Sequence, residues 1–101
     1  MFIHSVYFWL TPDLSDAAYA LFLERLRALL TIGTVQHGHI GTPADTRRGV
    51  VDHTYSHALI LTFADAHAHE QYQRDPIHDR FRDECSSCWS RLVIYDCVTT
   101  P

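Results

Sequence analysis

Two segments of this chain, residues 2–10 and 55–63, are apolar on nearly every residue. Successive side chains of an extended strand point to opposite faces, so such segments predict a sheet with two apolar faces. The helices of one small domain can cover only one of those faces. This pattern limits the possible folds more than any motif does, because a large exposed apolar face normally marks an interface.

The rest of the pattern predicts the order strand, helix, strand, strand, helical segment, strand, with two consecutive helices in the second helical segment and a polar loop over residues 44–53. Ser15, Asp65 and Asp75 are the expected helix N-caps, and Pro76 suits the first turn of the last helix. Predicted strands span residues 2–10, 35–40, 55–63 and 91–98, and predicted helices span residues 15–31, 65–73 and 75–88.

That order favours one α+β domain over residues 1–101, a split β-α-β unit with its helices on one face of a four-stranded sheet. We expect the spatial strand order four, one, three, two, with strands one and three parallel at the centre. This register would place His4 beside His57 on the helix-facing side of the sheet.

The opposite face of the predicted sheet is also apolar, although no helix can cover it. A second copy of the chain, packed face to face as an isologous dimer, would remove this surface from water. The residues expected at that interface are Ile3, Tyr7, Trp9, Ile60, Val93 and Tyr95.

Composition excludes several function classes. All 8 basic residues are arginine, which rules out Schiff-base and pyridoxal-phosphate enzymes and a lysine-dependent phosphate loop. A formal charge of -4 argues against binding to nucleic acid.

The apolar residues 1–10 are too few to cross a membrane and lack a signal-peptide pattern. Three cysteines fit a reduced, cytoplasmic protein better than a disulfide scaffold.

Several motifs together resemble the Dabb family, the stress-responsive dimeric α/β-barrel domains, over nearly the whole chain. The stretch from Tyr72 to His78 is the most specific, since a tyrosine followed by a proline and a histidine at fixed offsets opens the last helix in many members. The other matching residues are His4, Ile40-Gly41, residues 55–58, Thr62-Phe63, Phe81, Trp89 and residues 92–96.

The resemblance implies a ferredoxin-like β-α-β-β-α-β unit that dimerises through its sheet into a barrel. Most members have no established reaction. One plant member, olivetolic acid cyclase, closes a linear polyketide by aldol condensation without a metal or organic cofactor. Its tyrosine and histidine fall here on Tyr72 and His78, its two further pocket histidines on His4 and His57, and an aspartate on Asp96.

The resulting hypothesis is that the protein binds a small apolar carbonyl or aromatic compound between its helices and its sheet. It would catalyse a polyketide-cyclase-like aldol or lyase reaction on that compound. His78 would act as the base, Asp96 would bind its other ring nitrogen, and Tyr72 would donate to the enolate oxygen. The expected substrate-binding residues are His4, His37, His57, Phe22, Phe81, Trp89, Leu92 and Ile94.

Two alternatives remain open at this point. The histidines can equally stabilise the fold of a stress-response dimer that has no catalytic activity. A rival chemistry is a metal site formed by His37, His39 and His57, although the resemblance implies no metal. Cys85 and Cys88 fit core packing better than a redox pair. His67 and His69 face different directions on one helix and are assigned no role.

Overall fold

Four strands and three α-helices make up the chain in the computed structural model, which describes residues 1–101. A short 3₁₀ turn, Ser86–Cys88, joins the last helix to the last strand. The elements in chain order are β1 Phe2–Leu10, α1 Asp16–Leu29, β2 His37–Gly41, β3 His57–Phe63, α2 Ala66–Gln73, α3 Pro76–Cys85 and β4 Trp89–Val98.

The helices begin where short acceptor side chains can bind free backbone N–H groups. Ser15 accepts from the N–H of Ala18, and Asp65 accepts from the N–H of Ala68. Asp75 caps α3 by accepting from the N–H of Ile77, and proline occupies the start of that helix. All three predicted N-caps are therefore confirmed.

The four strands form one sheet in the order β2-β3-β1-β4, as predicted. The predicted parallel pairing of β1 with β3 is wrong, because every neighbouring pair is antiparallel. The crossover through α1 makes β1 and β2 run in the same direction. Since β3 lies antiparallel to β2 and between these two strands, it must also run opposite to β1.

The core fills the space between the inner face of the sheet and helices α1 and α3. Phe8 of β1 meets the ring of Phe22 from α1 edge-on, with the ring centroids 5.3 Å apart. Phe81 of α3 stacks on Trp89 at 5.5 Å. The inner face of β4 is less covered, since Leu92 is 39% exposed and Ile94 is 47% exposed.

The outer face of the sheet carries no helix. The loop before β3 reaches one end of it, where the indole N–H of Trp9 donates to Thr54 Oγ1 at 3.0 Å and the rings of Tyr55 and Tyr7 meet at 5.1 Å. Tyr95 remains 66% exposed on this face. None of the helices combines the length and the apolar character that crossing a membrane requires.

Candidate active site

A cavity of about 320 Å³ lies between the partly uncovered inner face of β4 and the last two helices. Its volume falls within the range of small-molecule sites, about 300–1,000 Å³. Its walls are mostly apolar, and imidazole, hydroxyl, amide and guanidinium groups supply the polar part. The lining residues are His4, Val6, Phe8, Leu29, Leu59, Tyr72, Gln73, His78, Phe81, Arg82, Trp89, Leu92 and Ile94.

His4 and Asp96 form a hydrogen-bonded pair at one end of the cavity. The two residues are register partners on β1 and β4, so the sheet itself sets their distance. His4 Nδ1 donates to Asp96 Oδ1 at 2.6 Å, and His4 is buried. The carboxylate fixes the tautomer of the ring, which leaves Nε2 as the nitrogen available for proton transfer.

Tyr72 lies between two histidines of the cavity. Its ring centroid is 5.9 Å from that of His4 and 4.9 Å from that of His78. Tyr72 is almost fully buried, and this burial raises the pKa of its hydroxyl above the ordinary value. The phenol therefore stays protonated near neutral pH and can act as a hydrogen-bond donor.

His78 enters the cavity from the first turn of α3, where the Asp75 cap sets the start of the helix. Burial lowers the pKa of His78, and the positive charge of Arg82 lowers it further. Its buried Nδ1 has no hydrogen-bond partner in the protein. The ring is therefore neutral at neutral pH, the state in which an imidazole accepts a proton.

His69 of α2 belongs to the same cluster, although the sequence pattern indicated no role for it. Its ring stacks on Phe2 with centroids 4.4 Å apart and lies 4.6 Å from the ring of His4. It precedes Tyr72 by three residues, so both side chains lie on one face of α2. That spacing was the available signal in the sequence.

His57 and Phe22 lie outside the cavity, contrary to the predicted substrate-binding set. In the antiparallel register His57 pairs with Phe8, whereas His4 pairs with Leu61 farther along β1. The two histidines are therefore not neighbours. His57 Nε2 lies 3.0 Å from the Tyr19 hydroxyl, and burial lowers the pKa of His57.

His37 also lies outside the cavity, and the alternative three-histidine metal site is not assembled. His37 and His39 pair with Thr62 and Ile60, whose side chains lie on the outer face of the sheet. His57 lies on the inner face, which is the opposite side. Both β2 histidines are exposed.

Among the other predicted site residues, Phe81, Trp89, Leu92 and Ile94 line the cavity. Asp96 reaches the site through His4, because its hydrogen bond goes to that ring and not to His78. The remaining motif, Cys85 with Cys88, is buried in the core, and burial raises the pKa of Cys85 to about 11. A thiol in that state is inert near neutral pH.

Comparisons with known proteins agree with this fold. A family model described as the Dabb, stress responsive A/B barrel domain matches residues 2–99. A search of curated proteins finds no significant match.

Many solved structures share the architecture. A Dabb family protein from Mesorhizobium loti with a ferredoxin-like fold is 24% identical, with a TM-score of 0.77 and coverage of 99% of this chain and 97% of that one. A hydroxynitrile lyase from Passiflora edulis is 19% identical, with a TM-score of 0.79 and coverage of 98% and 93%. A dimeric ferredoxin-like protein from Thermobifida fusca is 14% identical, with a TM-score of 0.77 and coverage of 97% and 90%. At these identities the similarity shows the fold.

Proposed function

Since this chain belongs to the Dabb family of stress-responsive α/β-barrel domains, we propose that it binds a small, largely apolar carbonyl or aromatic compound between its helices and its sheet. The observation that carries this proposal is the cavity of about 320 Å³, with apolar walls and three cavity-lining groups that can exchange protons or donate hydrogen bonds, His4, Tyr72 and His78. A ring or acyl chain fits the walls, and a carbonyl or phenol oxygen finds its partners at the polar end.

We further propose that the cavity catalyses proton transfer beside a carbonyl group, using side chains alone. Neutral His78 removes the proton on the carbon next to the carbonyl. The Tyr72 hydroxyl donates a hydrogen bond to the enolate oxygen that forms. In its protonated form His4, held by Asp96, gives the Nε2 proton to the oxygen of the carbonyl that the enolate attacks. The proton taken up by His78 is released to solvent, from which His4 is protonated again. A neutral imidazole, a phenol and a second imidazole can divide the acid and base roles in this way.

This chemistry suits a polyketide-cyclase-like aldol step or a related lyase reaction. Both need a base near the reacting carbon and a donor near the oxygen. The neighbour from Passiflora edulis is a hydroxynitrile lyase, which supports a reaction of the lyase class on this fold. A stress-response dimer without catalytic activity is the alternative, and an open cavity lined by His78 favours the enzyme.

We also propose that the protein is a homodimer formed through the outer face of its sheet. That face is apolar and uncovered by helices, and solved neighbours of the same fold are described as dimeric. The contact would involve Ile3, Tyr7, Trp9, Ile60, Val93 and Tyr95. A cytoplasmic location is proposed from the three free cysteines, which fit a reducing compartment.

The proton-transfer proposal can be tested without knowing the natural substrate. The assay follows the exchange of the methyl protons of acetophenone with deuterated water by NMR. We expect the protein to accelerate the exchange and His78→Ala to lose about 100-fold or more, the size of a general-base contribution. His67→Ala is the matched control, because His67 is exposed on α2 and does not line the cavity.

Equal exchange rates for the wild type and His78→Ala would overturn the base assignment. Saturable binding of acetophenone with no acceleration of exchange would support the non-enzymatic alternative.

A further inference from the structure

We propose that His4, His69 and Asp96 form a binding site for a divalent transition-metal ion, with Zn²⁺ as the test ion, and that the bound metal inhibits proton transfer at His4. The metal site goes beyond the proposed function, and only its inhibitory effect rests on that function.

The three side chains come from separate elements and converge on one point. His4 lies on β1, His69 on α2 and Asp96 on β4. One ligand atom from each residue lies within 4.8 Å of the others. Bonds of about 2.0–2.2 Å from Zn²⁺ to nitrogen and oxygen place tetrahedral ligand atoms about 3.5 Å apart. Small side-chain movements are therefore enough to close the site around an ion.

The condition of His69 points to a ligand. The residue is 8% exposed, and its buried Nε2 has no hydrogen-bond partner. A buried polar atom without a hydrogen-bond partner destabilises the protein, so a group that binds this nitrogen would stabilise it. Phe2 stacks on the ring at an angle of 21° and holds its orientation. A metal ion bound to Nε2 would satisfy the atom that the protein leaves free.

The donor set selects the class of metal. Two imidazoles and one carboxylate suit zinc and other first-row transition metals, whereas magnesium and calcium prefer oxygen ligands alone. The Asp96 side chain is 39% exposed, which gives an ion a path from solvent to the buried histidines. Three protein ligands leave a fourth position of a tetrahedral ion open.

Metal binding competes with the proposed chemistry at His4. In the metal-free protein the His4 ring donates its Nδ1 proton to Asp96. When Nδ1 and the carboxylate both bind a cation, two metal bonds replace that hydrogen bond, and a protonated ring loses its Nδ1 proton to solvent. The imidazolium that would give a proton to a substrate oxygen is then no longer formed, so the metal acts as an inhibitor.

Calorimetric titration of the chelator-treated protein with zinc sulfate tests the site. We expect one Zn²⁺ per chain for the wild type, and a loss of affinity of about 10-fold or more for His69→Asn. His67→Asn is the matched control, since it removes an exposed imidazole from the same helix. The double variant His37→Asn/His39→Asn removes the exposed pair on β2 and should leave the affinity unchanged.

Unchanged zinc affinity in His69→Asn, or loss of binding only in the β2 double variant, would overturn the site. The acetophenone exchange assay then tests inhibition. We expect zinc to slow exchange in the wild type but not in His69→Asn, and chelator to restore it. Zinc that binds at His69 without slowing an active wild type would overturn the inhibitory role. If the protein shows no exchange at all, the proton-transfer proposal fails, and the calorimetric result still decides the metal site.

Discussion

Arg82 lies one turn after His78 on α3 and lines the same cavity. No carboxylate forms an ion pair with it, in contrast to Arg80, which binds Glu84 at 2.8 Å. Burial makes the largest contribution to the lowered pKa of His78, the Arg82 charge adds to it, and Asp79 opposes it. The pKa of the proposed base thus depends on one neighbouring cation as well as on its solvent exposure.

We expect Arg82→Gln to shift the acid limb of the exchange rate to higher pH. His78 loses its function as a base when falling pH protonates it, and removing the cation raises its pKa toward the ordinary value of about 6.5. The pH profile of the acetophenone exchange rate measures the shift. Arg74→Gln is the control, because Arg74 pairs with Glu70 on the surface and lies outside the cavity. An acid limb that stays in place, or moves to lower pH, would contradict this assignment.

Among the contacts between elements, β2 lies close to the C-cap of α1 at Gly38. A Cβ atom at this position would lie 2.5 Å from Leu30 Cδ2 and 2.8 Å from Leu61 Cδ2. Glycine therefore lets the edge strand sit directly against the end of the helix. Gly41, on the same strand, has no atom within 4 Å of the corresponding position.

The substitution Gly38→Ala should lower the free energy of unfolding by about 1 kcal/mol, the low end of the cost of overpacking, because the added methyl group meets the ends of two leucine side chains that can shift. Gly41→Ala is the matched control and should have a much smaller effect, since its added methyl group meets nothing. Urea denaturation at one fixed protein concentration measures both. Equal stabilities of the two variants would contradict the close packing of β2.

The sequence predicted most elements and the order of the strands, but not the direction and register in which β1 and β3 pair. The apolar run of β1 and the caps Ser15, Asp65 and Asp75 are local signals, and the structure confirms them. Strand direction and register depend on contacts between distant segments, so no local signal revealed that His57 pairs with Phe8. The predicted position of His57, beside His4, was therefore wrong.

The candidate site was likewise predicted only in part. Tyr72 and His78 were predicted from the family resemblance, and they lie together with an apolar wall in the cavity. The partner of Asp96 depends on the β1–β4 register, which pairs it with His4. The burial of His69 depends on how α2 packs against the sheet, which its own sequence does not determine.

At the scale of the whole molecule, the two faces of the sheet differ sharply. Helices pack on the inner face, and the cavity opens where they end over β4. The outer face keeps Tyr95 at 66% exposure beside half-buried Tyr7 and Val93. Apolar and aromatic side chains gathered on one uncovered face favour contact with another protein surface.

The substitution Tyr95→Arg should convert the proposed dimer to monomers, because it places a charge within the proposed apolar contact. Tyr95 is exposed in the single chain, so the fold of the protomer should tolerate the change. Light scattering after size exclusion gives the mass, and circular dichroism checks the fold. Val50→Arg, at 84% exposure in the loop before β3, is the control. A dimer that survives Tyr95→Arg with unchanged affinity would contradict the proposed interface.

The binding of a small carbonyl compound in the cavity is the central claim, and NMR of the imidazole carbon–proton signals tests it most directly. Titration with acetophenone should shift the signals of His4 and His78 in a saturable way. The signals of the exposed His53 and His67 should stay in place. Saturable shifts at the two cavity histidines would support the claim. Saturable binding that leaves both signals unmoved, or no saturable shift at any histidine, would contradict it.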